Sequence, residues 1–262
     1  MSRLHSFIVN FSAISAIGIF ATSAMAESAQ GPNDPVTRAQ LPALIKEILI
    51  KDPNILTEVV QKMQENQEAQ MMAKGKEDVI KHKDKIYNDP AAPMVGPANA
   101  DVTVVEFFDY HCGYCKQALS SLITLMEKDK KVRVLFKEYP ILSEDSKLAS
   151  LGAIAVNRIA KDKYFDFHKA MFNVGGTISE KTIIAEAKKL GIDEDRMKKE
   201  LSNPEVEATL TRNKELGAAI GAVGTPAIII GDNFYPGAMP YEAMQKAVDD
   251  VRAANAKADK KS

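Results

Sequence analysis

The period of apolar residues changes several times along this chain, and each change marks an element. From Val102 the sequence reads Val-Thr-Val-Val-Glu-Phe-Phe, a near-continuous run of β-branched and aromatic residues, which predicts a buried strand. Directly after it, Leu119, Leu122, Ile123 and Met126 recur at helical spacing. Val132 to Tyr139 alternates again and stops at Pro140, predicting a second strand. Helical patterns then cover Ser146 to Ala160, Tyr164 to Phe172, Ser179 to Leu190, Glu194 to Leu201 and Glu205 to Ile220. Their limits are signalled by Gly175-Gly176, a Ser179-x-x-Thr182 start, Gly191 and Pro204. Strands return at Ala227 to Ile230 and Phe234-Tyr235, joined by a hairpin-like Gly-Asp-Asn, and a helix from about Tyr241 to Ala254 closes the pattern before a Lys and Ala tail. The order β, α, β, helical block, β, β, α defines an α/β fold.

Upstream the pattern is helical. Leu41, Leu44, Ile45, Ile48 and Leu49 form one stripe on a helix near Pro42 to Ile50. Asp52-Pro53 then restarts the helix, and Ile55, Leu56, Val59, Val60 and Met63 renew the stripe before it fades into Gln and Glu. Ala73 to Asn88 holds five lysines and few sizeable apolar residues, so it is read as a solvated helix or linker with Gly75 as a weak point and His82 exposed. Asp89 to Pro97, with three prolines and a glycine, is read as an irregular boundary.

The first residues belong to a different kind of segment. Arg3, the apolar run from Phe7 to Phe20 and Ala24-Met-Ala26 make residues 1–26 a signal peptide cleaved after Ala26, with an uncleaved anchor as the alternative. Ser28 to Pro35 would be a flexible mature start. Loss of the leader leaves 33 basic against 35 acidic residues, which gives no electrostatic case for nucleic acid. With 45% hydrophobic and 26% charged residues over its full length, the chain has the composition of an ordinary globular protein.

Export changes what the two cysteines mean, because thiols in an oxidising compartment are expected to pair. Cys112-Gly113-Tyr114-Cys115 sits where the first strand gives way to its helix. Unpaired backbone N–H groups and the positive end of the helix dipole lie there, so a thiolate at Cys112 would be stabilised over a thiol. This points to a redox pair. A structural staple is one alternative, although closing so short a loop removes less chain entropy than the ~3 kcal/mol of a 15-residue loop. Zinc is another, but no second cysteine pair exists to complete the site, and strand geometry turns His111 away from Cys112. His168 lies among apolar residues and is assigned to packing.

This order of elements, the Cys112-Gly-Tyr-Cys115 motif and the later Gly224-Thr-Pro226 before a strand resemble a thioredoxin fold with an inserted helical domain. The chain is similar, over about Asp101 to Ala254, to the DsbA family of exported thiol-disulfide oxidoreductases. The resemblance implies that Pro226 is cis and lies against the active disulfide, leaving Thr225 free to pair with an extended substrate. It also implies that Glu106, six residues before Cys112, is the family's buried acid and that Lys137 is its charged partner, either as a proton shuttle near Cys115 or as a structural ion pair. Two departures stand out: Gly113-Tyr114 replaces the Pro-His of the best-known members, and Leu119 stands where some members place a second acid. Residues 36–88 are more similar to the amphipathic stalk of the ScsC/Com1-like branch, through which members can oligomerise.

The domain expectation is therefore a signal peptide at 1–26, a helical oligomerisation stalk and linker at 27–88, and a DsbA-like domain at 89–262 with its helical insertion at about 143–221. The function expected is disulfide formation or reshuffling in exported proteins of the periplasm, with Cys112, Cys115, Pro226, Glu106 and Lys137 as catalytic residues and Gly113, Tyr114 and Thr225 as substrate contacts. No cofactor or metal is implied. Partners would be cysteine-containing exported proteins, a membrane redox partner and further copies of the chain as a dimer or trimer, with no nucleic acid. An envelope scaffold or copper-handling protein on the same fold is the alternative.

Overall fold

The fold is seen in a computed structural model that describes residues 35–260. The proposed leader, its cleavage site and the start of the mature chain lie outside these residues. Helices α1 (Leu41–Lys51), α2 (Asn54–Lys81) and α3 (Lys83–Tyr87) come first. They are followed by β1 (Met94–Val95), β2 (Val102–Phe108), α4 (Gly113–Lys128) and β3 (Val132–Glu138). Next come α5 (Glu144–Ile159), α6 (Tyr164–Met171), α7 (Glu180–Lys189), α8 (Glu194–Leu201) and α9 (Pro204–Ala219). The chain ends in β4 (Ala227–Ile230), β5 (Asn233–Pro236) and α10 (Tyr241–Asp259). Contacts divide it into two units, Met1–Leu56 and Thr57–Ser262. In the first, none of the residues of α1 is buried.

In the second unit one mixed sheet has the order β1-β3-β2-β4-β5. β2 lies parallel to β3 and antiparallel to β4, which gives the α/β, thioredoxin-like arrangement expected from the sequence, with five helices between β3 and β4. Those helices start where side chains cap them: Ser143, Ser179, Asp193 and Asn203 accept backbone N–H bonds from Ser146, Thr182, Arg196 and Glu205. Pro204 occupies the first turn of α9, where a missing N–H costs nothing.

Alternation along β2 and β3 separates two cores. Val104, Phe108, Val134 and Phe136 join the cluster that holds Cys115 and Leu122 of α4, Val156 of α5 and Val248 of α10. Val105, Phe107 and Leu135 point to the other face and meet Val79, Ile86, Leu216 and Ile220.

Two upstream readings need correction. The segment from Ala73 to Asn88 is helical and largely exposed, as one of its two readings had it, but it is no linker, since Val79 and Ile86 are fully buried against the back of the sheet. Gly75 is no weak point either: it lies inside α2, and a Cβ there would fall 2.5 Å from the Phe234 ring, so the bare glycine is what lets helix and strand approach. The lysine-rich composition hid this because one buried apolar side chain on the end of α2 and one on α3 seat the stretch while its other faces stay wet. The proline-rich stretch also contains β1, whose two residues pair with Leu135 and Val134, and the Pro93 carbonyl accepts the N–H of Phe136. A strand so short at a sheet edge tolerates a neighbouring proline.

Candidate redox site

β2 delivers the chain to a turn at Asp109–Cys112, and α4 begins at Gly113 with Cys112 as its N-cap. The turn closes through the Cys112 N–H donating to the Asp109 carbonyl at 3.1 Å, while the Cys112 carbonyl accepts from Lys116. Cys115, one turn into the helix, is on its buried face with no exposed surface, whereas Cys112 retains 8%. Both are thiols in this structure. Gly113 has open space where a Cβ would be, and Tyr114 between the cysteines is exposed.

Across from Cys112 lies the loop before β4. The Thr225-Pro226 bond is cis, as the resemblance implied, and the Cys112 Sγ–H donates to the Thr225 carbonyl at 3.1 Å. Tyr139 steadies this loop from the end of β3: its hydroxyl donates to the Ala222 carbonyl at 2.9 Å, and its ring rests where Gly217 of α9 has no side chain. At the far end, the Gly237 N–H donates to the Pro226 carbonyl. The loop is thus tied at both sides of the cis bond.

Beneath the cysteines, Glu106 is fully buried, and neither carboxyl oxygen has a hydrogen-bond partner among the described protein atoms. Burial, and secondarily the charge of Cys112, pushes its pKa up to about 8. The Cys115 thiol is likewise pushed far up by burial first and by Glu106 second, so the two groups feel each other. A carboxyl that keeps its proton near neutral pH beside a buried thiol is placed to give or accept that proton.

Lys137 is not its partner. The parallel register aligns Glu106 with Phe136 and Phe107 with Lys137, which puts the lysine on the opposite face of the sheet. There its ammonium meets the Asp89 carboxylate at 2.5 Å, with no exposed side-chain surface on the lysine and 20% on the aspartate. The ion pair implied by the resemblance therefore does not form, and Lys137 leaves the group of site residues.

Several polar residues around the site went unnoticed in the sequence. Asp109 is fully buried and accepts four hydrogen bonds. The signal available was an acid two residues before a backbone N–H in a turn, the pattern of an Asx-turn. On the Glu106 side of the sheet, Tyr110 bonds His168 Nδ1 at 3.0 Å, and Tyr164 donates to Glu138 Oε1 at 3.1 Å. Phe108, Phe136 and Phe172 surround His168, so it does pack, but in a polar cluster. Burial pushes the Glu138 carboxyl well above its ordinary range and takes His168 down to about 3, which leaves the imidazole neutral at physiological pH. Among the described residues no group of three or more His, Cys, Asp or Glu side chains is placed to hold a metal ion. Clefts of about 430 Å³ between α3 and α9 and about 310 Å³ beside α10 have neither cysteine in their lining.

A pair of cysteines at a helix N-terminus, a cis-proline loop against the first and a buried acid near the second define a thioredoxin-like redox site. Residues 103–249 match the model of the DSBA-like thioredoxin domain, and the chain belongs to that family. The thiol-disulfide exchange protein alpha-DsbA2 of Wolbachia pipientis is 34% identical, with 68% of this chain and 95% of that one covered at a TM-score of 0.64. A linker-deletion mutant of Proteus mirabilis ScsC is 28% identical, with 85% of this chain and 99% of that one covered at a TM-score of 0.63. The probable disulfide bond formation protein D of Bacillus cereus is 26% identical over 59% of this chain and 76% of its own length. Two Salinispora Na(+)/H(+) antiporters also match, and the chain spans 24% of their length.

Proposed function

We propose that this protein is a periplasmic thiol-disulfide oxidoreductase that forms and reshuffles disulfides in exported proteins. The observation that carries the reading is the Cys112 sulfur, at a helix start and in hydrogen-bond contact with the Thr225 carbonyl. In the oxidising direction a client thiolate attacks Cys112 of the Cys112–Cys115 disulfide. That bond breaks, a mixed disulfide forms, and Cys115 leaves as a thiolate that takes the proton held by Glu106. A second client thiolate then attacks the client sulfur and releases Cys112 as a thiolate, so the client loses two electrons and the enzyme gains them. A membrane redox partner would restore the disulfide. In the isomerising direction reduced Cys112 attacks a wrong client disulfide, and Cys115 releases any trapped complex. Thr225 presents its backbone to the client, with Gly113 and Tyr114 beside it.

Residues 36 to about 72 would serve as an oligomerisation stalk. Leu41, Leu44, Ile45, Ile48, Leu56, Val59 and Met63 are exposed in the single chain. The likeness to ScsC reaches well beyond residues 103–249, which supports a shared N-terminal region. Burying each aliphatic side chain contributes ~1.5 to 3 kcal/mol, enough together to offset the entropy of association. Catalytic domains held around one client in a dimer or trimer favour reshuffling over simple oxidation.

The test is trapping in the periplasm of an expressing cell. Cys112→Ser should abolish exchange, and Cys115→Ser should accumulate mixed disulfides through Cys112. Equal alkylation of the two reduced thiols near neutral pH counts against the assignment. Light scattering on the full mature chain and on Ile45→Glu/Met63→Glu decides the stalk, and a wild-type monomer removes the isomerase preference with it.

A further inference from the structure

Asp109 meets the redox pair through its backbone and the rest of the fold through its side chain. β2 ends at Phe108, and the N–H of the next residue, Asp109, donates to the Cys115 sulfur. The Asp109 carbonyl accepts the Cys112 N–H at 3.1 Å. One residue thus touches both halves of the Cys112–Cys115 pair. Its N–H matters because Cys115 has no exposed surface, so solvent does not stabilise a thiolate forming there. Burial first and Glu106 second drive that thiol far up, and the Asp109 N–H works in the opposite direction. Exchange is faster when the departing sulfur is better stabilised as a thiolate, and a donor already aimed at it needs no rearrangement as charge develops.

Aiming one N–H requires a fixed backbone, and the Asp109 carboxylate supplies the fixing. Oδ1 accepts the His111 N–H at 2.8 Å and the Ser146 hydroxyl at 2.6 Å, while Oδ2 accepts the N–H groups of Ile141 and Leu142 at 2.8 and 2.9 Å. These donors come from the Cys112 turn, the loop after β3 and the first turn of α5, so three segments close on one residue. Ser143, which bonds both Ser146 and His111, ties them to one another. Four donors on one carboxylate offset the desolvation of its charge. An asparagine could accept only two of them and would turn its own N–H groups against the others.

We propose that Asp109 is a positioning residue for the departure of Cys115: its buried carboxylate fixes the turn so that its own N–H holds the Cys115 sulfur as the disulfide breaks. The inference rests on the oxidoreductase reading and adds a residue to its first step. The client thiolate forms a bond to Cys112, the Cys112–Cys115 bond breaks, and its electron pair goes to Cys115. The N–H holds that sulfur until the Glu106 proton arrives.

Two single-turnover rate constants separate this role from general support of the turn. In the first, excess reduced glutathione cleaves the disulfide of the full-length protein, so Cys115 must leave; acid quenching, alkylation and mass spectrometry follow it. In the second, the Cys115→Ser protein attacks an aromatic disulfide, dithiobis(nitrobenzoate), so Cys112 reacts with no Cys115 present; the absorbance of the released thiolate follows it. Asp109→Asn should slow the first about tenfold and change the second by less than about twofold. Ser146→Ala, which takes one of the four donors and leaves the charge, should slow the first about threefold with the same selectivity, and it decides the matter if Asp109→Asn does not fold. Equal slowing of both constants, or no change in the first, overturns the proposal. Oxidation of a dithiol peptide by the wild-type disulfide is measured separately: its failure removes the parent reading, while the two rate constants still report on Asp109.

Discussion

Replacing Glu106 by glutamine keeps the outline of the side chain and removes its proton. In the folded chain burial raises the pKa from an ordinary 4.5 to about 8, with the charge of Cys112 as the smaller cause. Between those values the folded protein keeps a proton that the unfolded chain releases. The stability linked to Glu106 is therefore fully present below pH 4.5 and is lost as pH rises through about 8. About 3.5 pH units at about 1.36 kcal/mol each amount to about 5 kcal/mol. Relaxation and water entry around a buried charge trim this figure, so a loss of about 3 kcal/mol or more is expected. Urea unfolding of wild type and Glu106→Gln, both as the disulfide so that no thiol titrates, should be compared at about pH 5 and about pH 9. The burial contribution persists in that form. Wild type should lose about 3 kcal/mol more than the variant over the interval, while the constant cost of the buried amide and the slope due to Glu138 cancel in the difference. Parallel stability curves within about 0.5 kcal/mol would show that Glu106 ionises normally, and its role as proton donor to Cys115 would fall with that result.

Three further outcomes test the packing and the buried charges. Gly75→Ala, which in an exposed helix interior would add up to about 1 kcal/mol of stability, should instead cost about 1–3 kcal/mol by thermal unfolding, because the new methyl meets the Phe234 ring. Arg252→Ala removes the guanidinium that bridges Asp101 and Asp129 and holds the Asp129 carboxyl down at about 2. It should cost about 1–2 kcal/mol at low salt and less at high salt. That contribution is present above the ordinary Asp pKa of 3.8 and fades as pH falls through about 2, so wild type and variant should converge in strong acid. His168, held near 3 against an ordinary 6.5, binds a proton on unfolding, so wild-type stability should fall as pH drops from 6.5 toward 3. His168→Phe should flatten that acid limb in a near-ultraviolet circular dichroism titration, at a pH-independent cost of about 1 kcal/mol for the hydrogen bond lost by Tyr110.

What could be read from the sequence divides along physical lines. Strand runs and helix caps are local, and the block from Ser146 to Ile220 resolved into five helices within a few residues of the expected limits because Ser179, Gly191 and Pro204 act within one turn of themselves. Cys112, Thr225 and Pro226 were legible as motifs, and the structure brings them together across 113 residues of chain. Tertiary choices were not legible. Nothing local distinguishes Val79 of α2 and Ile86 of α3, two apolar residues in a lysine-rich stretch, from residues left in water until the face of Phe107 and Phe234 is known. The Asp109 carboxylate likewise looks like a surface turn residue until the loop after β3 folds over it.

Lys137 shows how sheet parity decides chemistry. In the sequence it stands one position away from the residue that pairs with Glu106, close enough to pass for its counter-ion. One position in a strand is a change of face. Had the ammonium reached Glu106, it would have pulled that carboxyl down and fixed it as an anion, unable to give a proton to a leaving Cys115 thiolate. With the lysine held by Asp89 on the back of the sheet, the acid on the front has no hydrogen-bond partner among the described residues, and burial keeps its proton in place near neutral pH. Asp89 follows directly on the helices whose Val79 and Ile86 seal the back core, so those helices and the ion pair cover the same face. The same alternation that splits the hydrophobic residues into two cores thus separates a charge pair used for structure from a proton available for exchange.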